Sequence, residues 1–97
     1  MQKISDGTKK TMTDTLKLPR EIVYGEAVMT MTGMHEVYVE NYRGILECYS
    51  EKIVVQAKQM RIVFCGRGLE IAYYTSSDMK IVGTIMQIQC IHMEAVW

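Results

Sequence analysis

The sequence predicts an all-β fold: a single-domain antiparallel meander of about seven or eight short strands, closed as a sandwich or a small barrel. Three observations carry that expectation. From Ala27 onward apolar residues recur at period two, and no stretch of helical length shows a 3.6-residue period. Glycines and short polar runs punctuate the chain at the spacing of strand ends. The run Val37-Tyr38-Val39-Glu40-Asn41-Tyr42-Arg43-Gly44-Ile45-Leu46-Glu47 reads as two strands about a tight, charged turn. A β-solenoid is the alternative, because strand-glycine-strand units recur, but they do so at no fixed period.

Each element follows from local pattern. Residues 1–17 are polar and rich in Lys and Thr, and read as a flexible leader with a short helical turn around 13–18, ahead of Pro19. Residues 18–97 form the β domain. Val28–Thr32 is the first strand, turned by Gly33-Met34-His35. Glu36–Glu40 and residues 45–50 then pair as a hairpin, with Asn41 opening a type I turn and Gly44 closing it, where φ is often positive. Along 52–58, Ile53, Val55 and Ala57 face one way while Lys52, Gln56 and Lys58 face the other. Residues 59–65 continue with Met60, Ile62 and Phe64 on one face, and Gly66-Arg67-Gly68 makes a turn. Residues 69–74 then point Leu69, Ile71 and Tyr73 inward. After the polar loop Thr75-Ser76-Ser77-Asp78, residues 79–91 are the last strand, and there the apolar phase slips. Met79, Ile81 and Ile85 share one parity, and Ile88 and Cys90 have the other. A bulge near Met86-Gln87, or a bend at Gly83, restores both sets to the core.

Composition narrows the function. Ninety-seven residues make one domain with one modest core. Formal charge is zero, but residues 1–20 hold five basic and two acidic side chains, leaving about three net negative charges on the other 77. A near-neutral body argues against nucleic-acid binding, which needs a clustered basic surface. The basic leader reads first as a solvated tail and second as a contact for an anionic membrane. No apolar run approaches the ~18–20 residues that span a bilayer, and the first twenty lack the apolar core of a secretory signal. The chain is therefore expected to stay in the cytosol. Three widely spaced cysteines fit buried, unpaired thiols in a reducing compartment, and nine methionines fit gap-filling roles in the core.

Motifs for chemistry are weak. Cys90 and His92 would share one strand face, but no paired close spacing of zinc ligands occurs, so no metal site is assigned. No nucleophile elbow is present, and Cys48 and Glu47 are adjacent strand residues that point to opposite faces. Glu40 and Glu47, on the two arms of the expected hairpin, are the best carboxylate pair for hydrolysis, although solvated charges near a hairpin end explain them more simply. Gly66-Arg67-Gly68 lacks the lysine and helix of a phosphate loop. No catalytic residue and no cofactor site is therefore assigned. Tyr42 and Arg43 are expected to project from the turn, where large aromatic and Arg side chains serve as interface anchors. Glu40, Asn41, Tyr42, Arg43 and Gly44 are thus the candidate partner-binding residues. The apolar Ala95-Val96-Trp97 is a second candidate, for packing on the sheet or for self-association.

These segments also resemble a known family. Glu40-Asn41-Tyr42-Arg43-Gly44 resembles the Glu-Asn-x-(basic)-Gly signature of the YabP/YqfC family of sporulation proteins. Leu18-Pro19 with Ile22, Met29-Thr30-Met31-Thr32-Gly33, Ile62-Val63-Phe64-Cys65-Gly66 with Leu69-Glu70-Ile71, and Ile81-Val82-Gly83-Thr84-Ile85 with Ile88 stand in family-like order over residues 18–90. The Leu-Pro opening and the basic leader favour the YqfC-like branch. One departure is Glu26-Ala27, which stands where many members carry a second Leu-Pro. The resemblance implies a non-enzymatic structural or adaptor protein required in endospore formation. It would act in the mother-cell cytoplasm or peripherally at the forespore membrane, by contact with a protein partner. A sporulation membrane protein is the partner the resemblance implies, with self-association as a further option. The alternative is a module that binds a small ligand or an envelope fragment beside the signature hairpin.

Overall fold

A computed structural model describes residues 24–94. The leader, the Leu-Pro opening and Ala95-Val96-Trp97 lie outside the described residues. Six strands form one antiparallel sheet: β1 (Val28–Thr32), β2 (Glu36–Glu40), β3 (Gly44–Cys48), β4 (Lys52–Ala57), β5 (Met60–Tyr74) and β6 (Asp78–His92). Their order across the sheet is β1-β2-β6-β5-β4-β3, so the all-β antiparallel reading holds and the sheet does not close. The chain is not a simple meander, because β2 leaves its sequence neighbour β3 and pairs with β6.

β5 and β6 are fifteen residues each, long enough to serve two layers. The first half of β5 pairs with β4 on one side and with the second half of β6 on the other. Beyond the midpoint, β5 keeps only the first half of β6, whose other side carries β2. One layer is thus β1, β2, the start of β6 and the end of β5. The other is β3, β4, the start of β5 and the end of β6. The core lies between them: Val37, Val39, Met79 and Ile81 come from the first layer, and Ile53, Val55, Ile62 and Phe64 from the second, all fully buried. Burying each such side chain contributes about 1.5–3 kcal/mol, which is what holds the layers face to face.

The bend between layers is made by glycine. Gly66-Arg67-Gly68 does not turn the chain back as expected but carries the ladder through an irregularity, which merges two expected strands into β5. Between Arg67↔Thr84 and Glu70↔Val82, β5 has two residues where β6 has only Gly83. An extra residue on one strand kinks and twists it. The strands close in tightly at that point. A Cβ on Gly83 would lie 2.5 Å from the Gly68 carbonyl oxygen, and one on Gly66 would overlap the Thr84 carbonyl oxygen.

Two further irregularities set which side chains face inward. Met86 is passed over between Gly66↔Ile85 and Cys65↔Gln87, so Ile88 regains the face of Ile85 and packs against the core. That is the phase correction the sequence required. Cys90 shares that face but is exposed, although Ile62 opposite it is fully buried. Ala72 is passed over between Ile71↔Ile81 and Tyr73↔Lys80, and Tyr73, expected inward, is 51% exposed.

The bend yields a ranked prediction. Gly66→Ala and Gly83→Ala should each lower unfolding stability by about 3 kcal/mol or more, because backbone must move. Gly68→Ala meets open space and strains only a φ of +61°, costing about 1 kcal/mol. Urea denaturation of the three variants would test the order, and equal losses would contradict it.

Candidate functional site: the 40–44 crossing and the β3 edge

The signature run does not form the expected hairpin. Glu40 ends β2 opposite Val28 and Asp78, whereas Gly44 starts β3 opposite Gln56. Residues 41–43 instead carry the chain from one layer to the other. The reason is in the core: Val37 and Val39 are needed against Ile81 and Met79, while Ile45 is needed against Val55.

Each residue of the crossing is fixed by a specific partner. Asn41, not Gly44, takes the left-handed conformation, at φ +65°. Asparagine is among the few residues that tolerate it. Its side-chain amide donates to the Glu26 carbonyl at 2.9 Å, tying the crossing to the chain ahead of β1. The Arg43 amide donates to the Gln56 carbonyl at 2.8 Å, and the Tyr42 amide to the Ser77 carbonyl at 3.2 Å. Tyr42 does not project. It is 8% exposed, belongs to the core cluster, and its hydroxyl donates to the Thr75 carbonyl. A ring needs such a partner for its hydroxyl when buried. Tyr42 therefore plugs this end of the core, and its charged neighbours in sequence gave no hint of that.

Of the five predicted partner-binding residues, Arg43 is the exposed one; Glu40, Asn41 and Gly44 are half-buried. The Glu40–Glu47 carboxylate pair does not assemble across a hairpin. Their strands are separated by β6, β5 and β4 in the sheet, and Glu47 pairs with Lys52 at 3.3 Å. The segment just after Arg43 escaped the sequence reading. Ile45 pairs with Val55 and Glu47 with Val54, so Leu46 is an extra, unpaired residue. Bulges re-aim side chains. Leu46 is 49% exposed and Tyr49, in the turn after β3, is 61% exposed. Arg43, Leu46 and Tyr49 thus lie exposed along one sheet edge, and no strand covers that edge among the described residues. Ile45 packs inward against the core while Leu46 next to it stays in solvent, and the slip in register after Ile45 is not visible in the alternation of the sequence.

Other candidate chemistry is sparse. Among the described residues, no three His, Cys, Asp or Glu side chains gather to hold a metal ion. Cys48 and Cys90 are exposed and Cys65 is half-buried, so the thiols are free but not the buried set expected. No helix among the described residues is long and apolar enough to cross a membrane. On the outer face of the first layer, Tyr38 donates to the Asp78 carboxylate at 3.4 Å. Partial burial, and then the nearby Asp78 carboxylate, hold the Tyr38 phenol above its ordinary value of 10.0.

Comparison with known proteins places the sequence in a family. The profile of the YabP family matches residues 25–95. The uncharacterized protein YqfC of Bacillus subtilis (strain 168) is 26% identical over 77 residues, spanning 79% of this chain and 83% of the relative. No solved structure matches significantly. The family match spans the whole sheet and both sides of the crossing, and the chain belongs to the YabP family.

Two outcomes are expected of the site. Tyr42→Phe should cost about 1 kcal/mol for one lost hydrogen bond, and Tyr42→Ala about 3–5 kcal/mol for the emptied plug, both read from denaturant midpoints. Tyr38 carries a pH signature. Below its unfolded value near 10.0 the phenol is neutral in both states. Above that value the unfolded chain ionises first, so stability falls as pH rises through the folded value. Tyr38→Phe should shallow that alkaline decline, and an unchanged slope would contradict the assignment.

Proposed function

We propose that this YabP-family chain is a non-enzymatic adaptor of endospore formation that docks a protein partner through Arg43, Leu46 and Tyr49. The process is drawn from the resemblance to sporulation proteins, as are the mother-cell cytoplasm and a membrane protein of the forespore boundary as partner. The observation that carries the docking surface is the bulge that turns Leu46 outward on an open sheet edge. An exposed leucine between an arginine and a tyrosine has the make-up of a small interface centre: a large apolar group, a planar cation and an amphipathic ring. None of the three side chains is fully buried, so none is needed to fill the core. The bulge also spoils the edge for continuous strand addition, which favours side-chain docking over a β-ladder with the partner.

The test is the position of a fluorescent fusion in sporulating cells, for the native chain and for Leu46→Asp/Tyr49→Ala. The native fusion should gather at the forespore membrane. The variant should become diffuse while its melting temperature stays within a few degrees, because a loss of about 2 kcal/mol at an interface centre weakens binding roughly 30-fold. A variant that still gathers at the membrane would sink the docking surface. A native fusion that is diffuse would sink the adaptor reading.

A further inference from the structure

The end of β6 has one bare flank. Residues 78–82 have β2 on one side and β5 on the other, but from Gln87 to His92 only β5 is paired with the strand among the described residues. In an antiparallel ladder, alternate residues turn both main-chain groups toward the same neighbour. The Met93 amide donates to the Gln59 carbonyl at 2.9 Å, which sets the phase. Gln89 and Ile91 therefore face β5, whereas Ile88, Cys90 and His92 turn their amides and carbonyls to the bare flank. A cavity of about 420 Å³ opens there, lined by Glu26, Ala27, Lys58, Met60, Cys90 and His92 among others. Cys90 and His92, two residues apart on one strand, share a face, and both side chains are exposed.

We propose that this flank meets the same flank of a second copy, and that the two chains hold one zinc ion between them on Cys90 and His92. A thiolate and an imidazole are half of the Cys2His2 set that binds zinc tetrahedrally. Among the described residues, no third donor of the same chain stands with them. A two-fold axis supplies the other half. Two bare edges that join as an antiparallel ladder must set outward-turned residues opposite one another. The register centred on Ile91 does this, and it sets Cys90 of each chain opposite His92 of the other. Side chains so opposed have Cβ atoms about 5 Å apart, and an axis perpendicular to the sheet keeps all four donors on one face. A shift of the centre to Gln89 would set Cys90 against Ile88 instead, so the metal selects the register. Two thiolates balance the charge of the ion, and Glu26 and Lys58 beside it offset each other. A ladder this short is weak alone, so zinc decides whether the copies join. This edge of the second layer is the one opposite β3, so the inference stands apart from the proposed docking surface.

Sedimentation and bound-metal analysis of the full chain test it, with zinc added or with EDTA. Zinc should double the mass and bind at one ion per two chains, and EDTA should return the monomer. Cobalt in place of zinc should give the absorption of a tetrahedral site with thiolate ligands. Cys90→Ser and His92→Gln should each abolish the bound ion and the dimer together. Because both side chains are exposed, neither change should move the melting temperature of the metal-free protein. Cys48→Ser, which removes an exposed thiol on β3, should leave ion and dimer intact. No bound zinc, one ion per chain without a change of mass, or a dimer that forms equally in EDTA would each overturn the inference. So would a zinc-dependent dimer that survives Cys90→Ser or is lost with Cys48→Ser.

Discussion

The close approach of β5 and β6 at Gly66, Gly68 and Gly83 is the constraint on which the rest of the structure depends. Side chains on Gly66 or Gly83 would strike backbone oxygen atoms, and only glycine lets the two long strands bend together. Without the bend, β5 and β6 would extend as a flat ribbon with half of each strand unpaired on one side. With it, each strand belongs to two layers, and twelve buried apolar residues among those described can meet in a single core. Orthogonal or folded sheets commonly turn such corners with bulges. Here both corners are carried by the same pair of strands.

The crossing at residues 41–43 is the counterpart of that bend at the other end of the core. Once β5 and β6 have divided the sheet, β2 and β3 must enter different layers although only three residues separate them. Asn41 supplies the left-handed step, Tyr42 fills the end of the core, and Arg43 is left at the surface. A sequence signature that looks like a recognition loop is thus mostly architecture. The surface it delivers is the edge that starts immediately afterwards, where a bulge places Leu46 in solvent. Architecture and candidate interface are adjacent but distinct.

Much of the fold was legible in the sequence, because period-two burial is a local property. Ile53, Val55, Ala57, Ile62 and Phe64 are inward as their alternation required, and the slipped phase at Ile85 and Ile88 located a real bulge. The hidden part was non-local. Nothing in residues 36–48 distinguishes a hairpin from a crossing, since the choice is made by β6, some forty residues later. The bulges at Leu46 and Ala72 were equally hidden, and each turned a nearby side chain to solvent that alternation had left unassigned or placed inside. The candidate site was half legible for the same reason: Arg43 was found, Tyr42 was assigned to the wrong side, and Leu46 and Tyr49 were passed over.

Order of synthesis gives the pairing of β2 with β6 a cost in time. β3, β4 and β5 can pair through short connections as soon as they leave the ribosome, because each partner is the next strand made. β1 and β2 can also pair early, but their apolar face, with Val37 and Val39, has no layer to join until residues 78–82 exist. Closing that long loop carries an entropic cost that the hairpins do not. A nascent chain therefore waits with one finished hairpin exposed while the other half of the sheet assembles. During that interval the valine face of β2 is the part of the molecule most open to a chaperone or to another nascent copy.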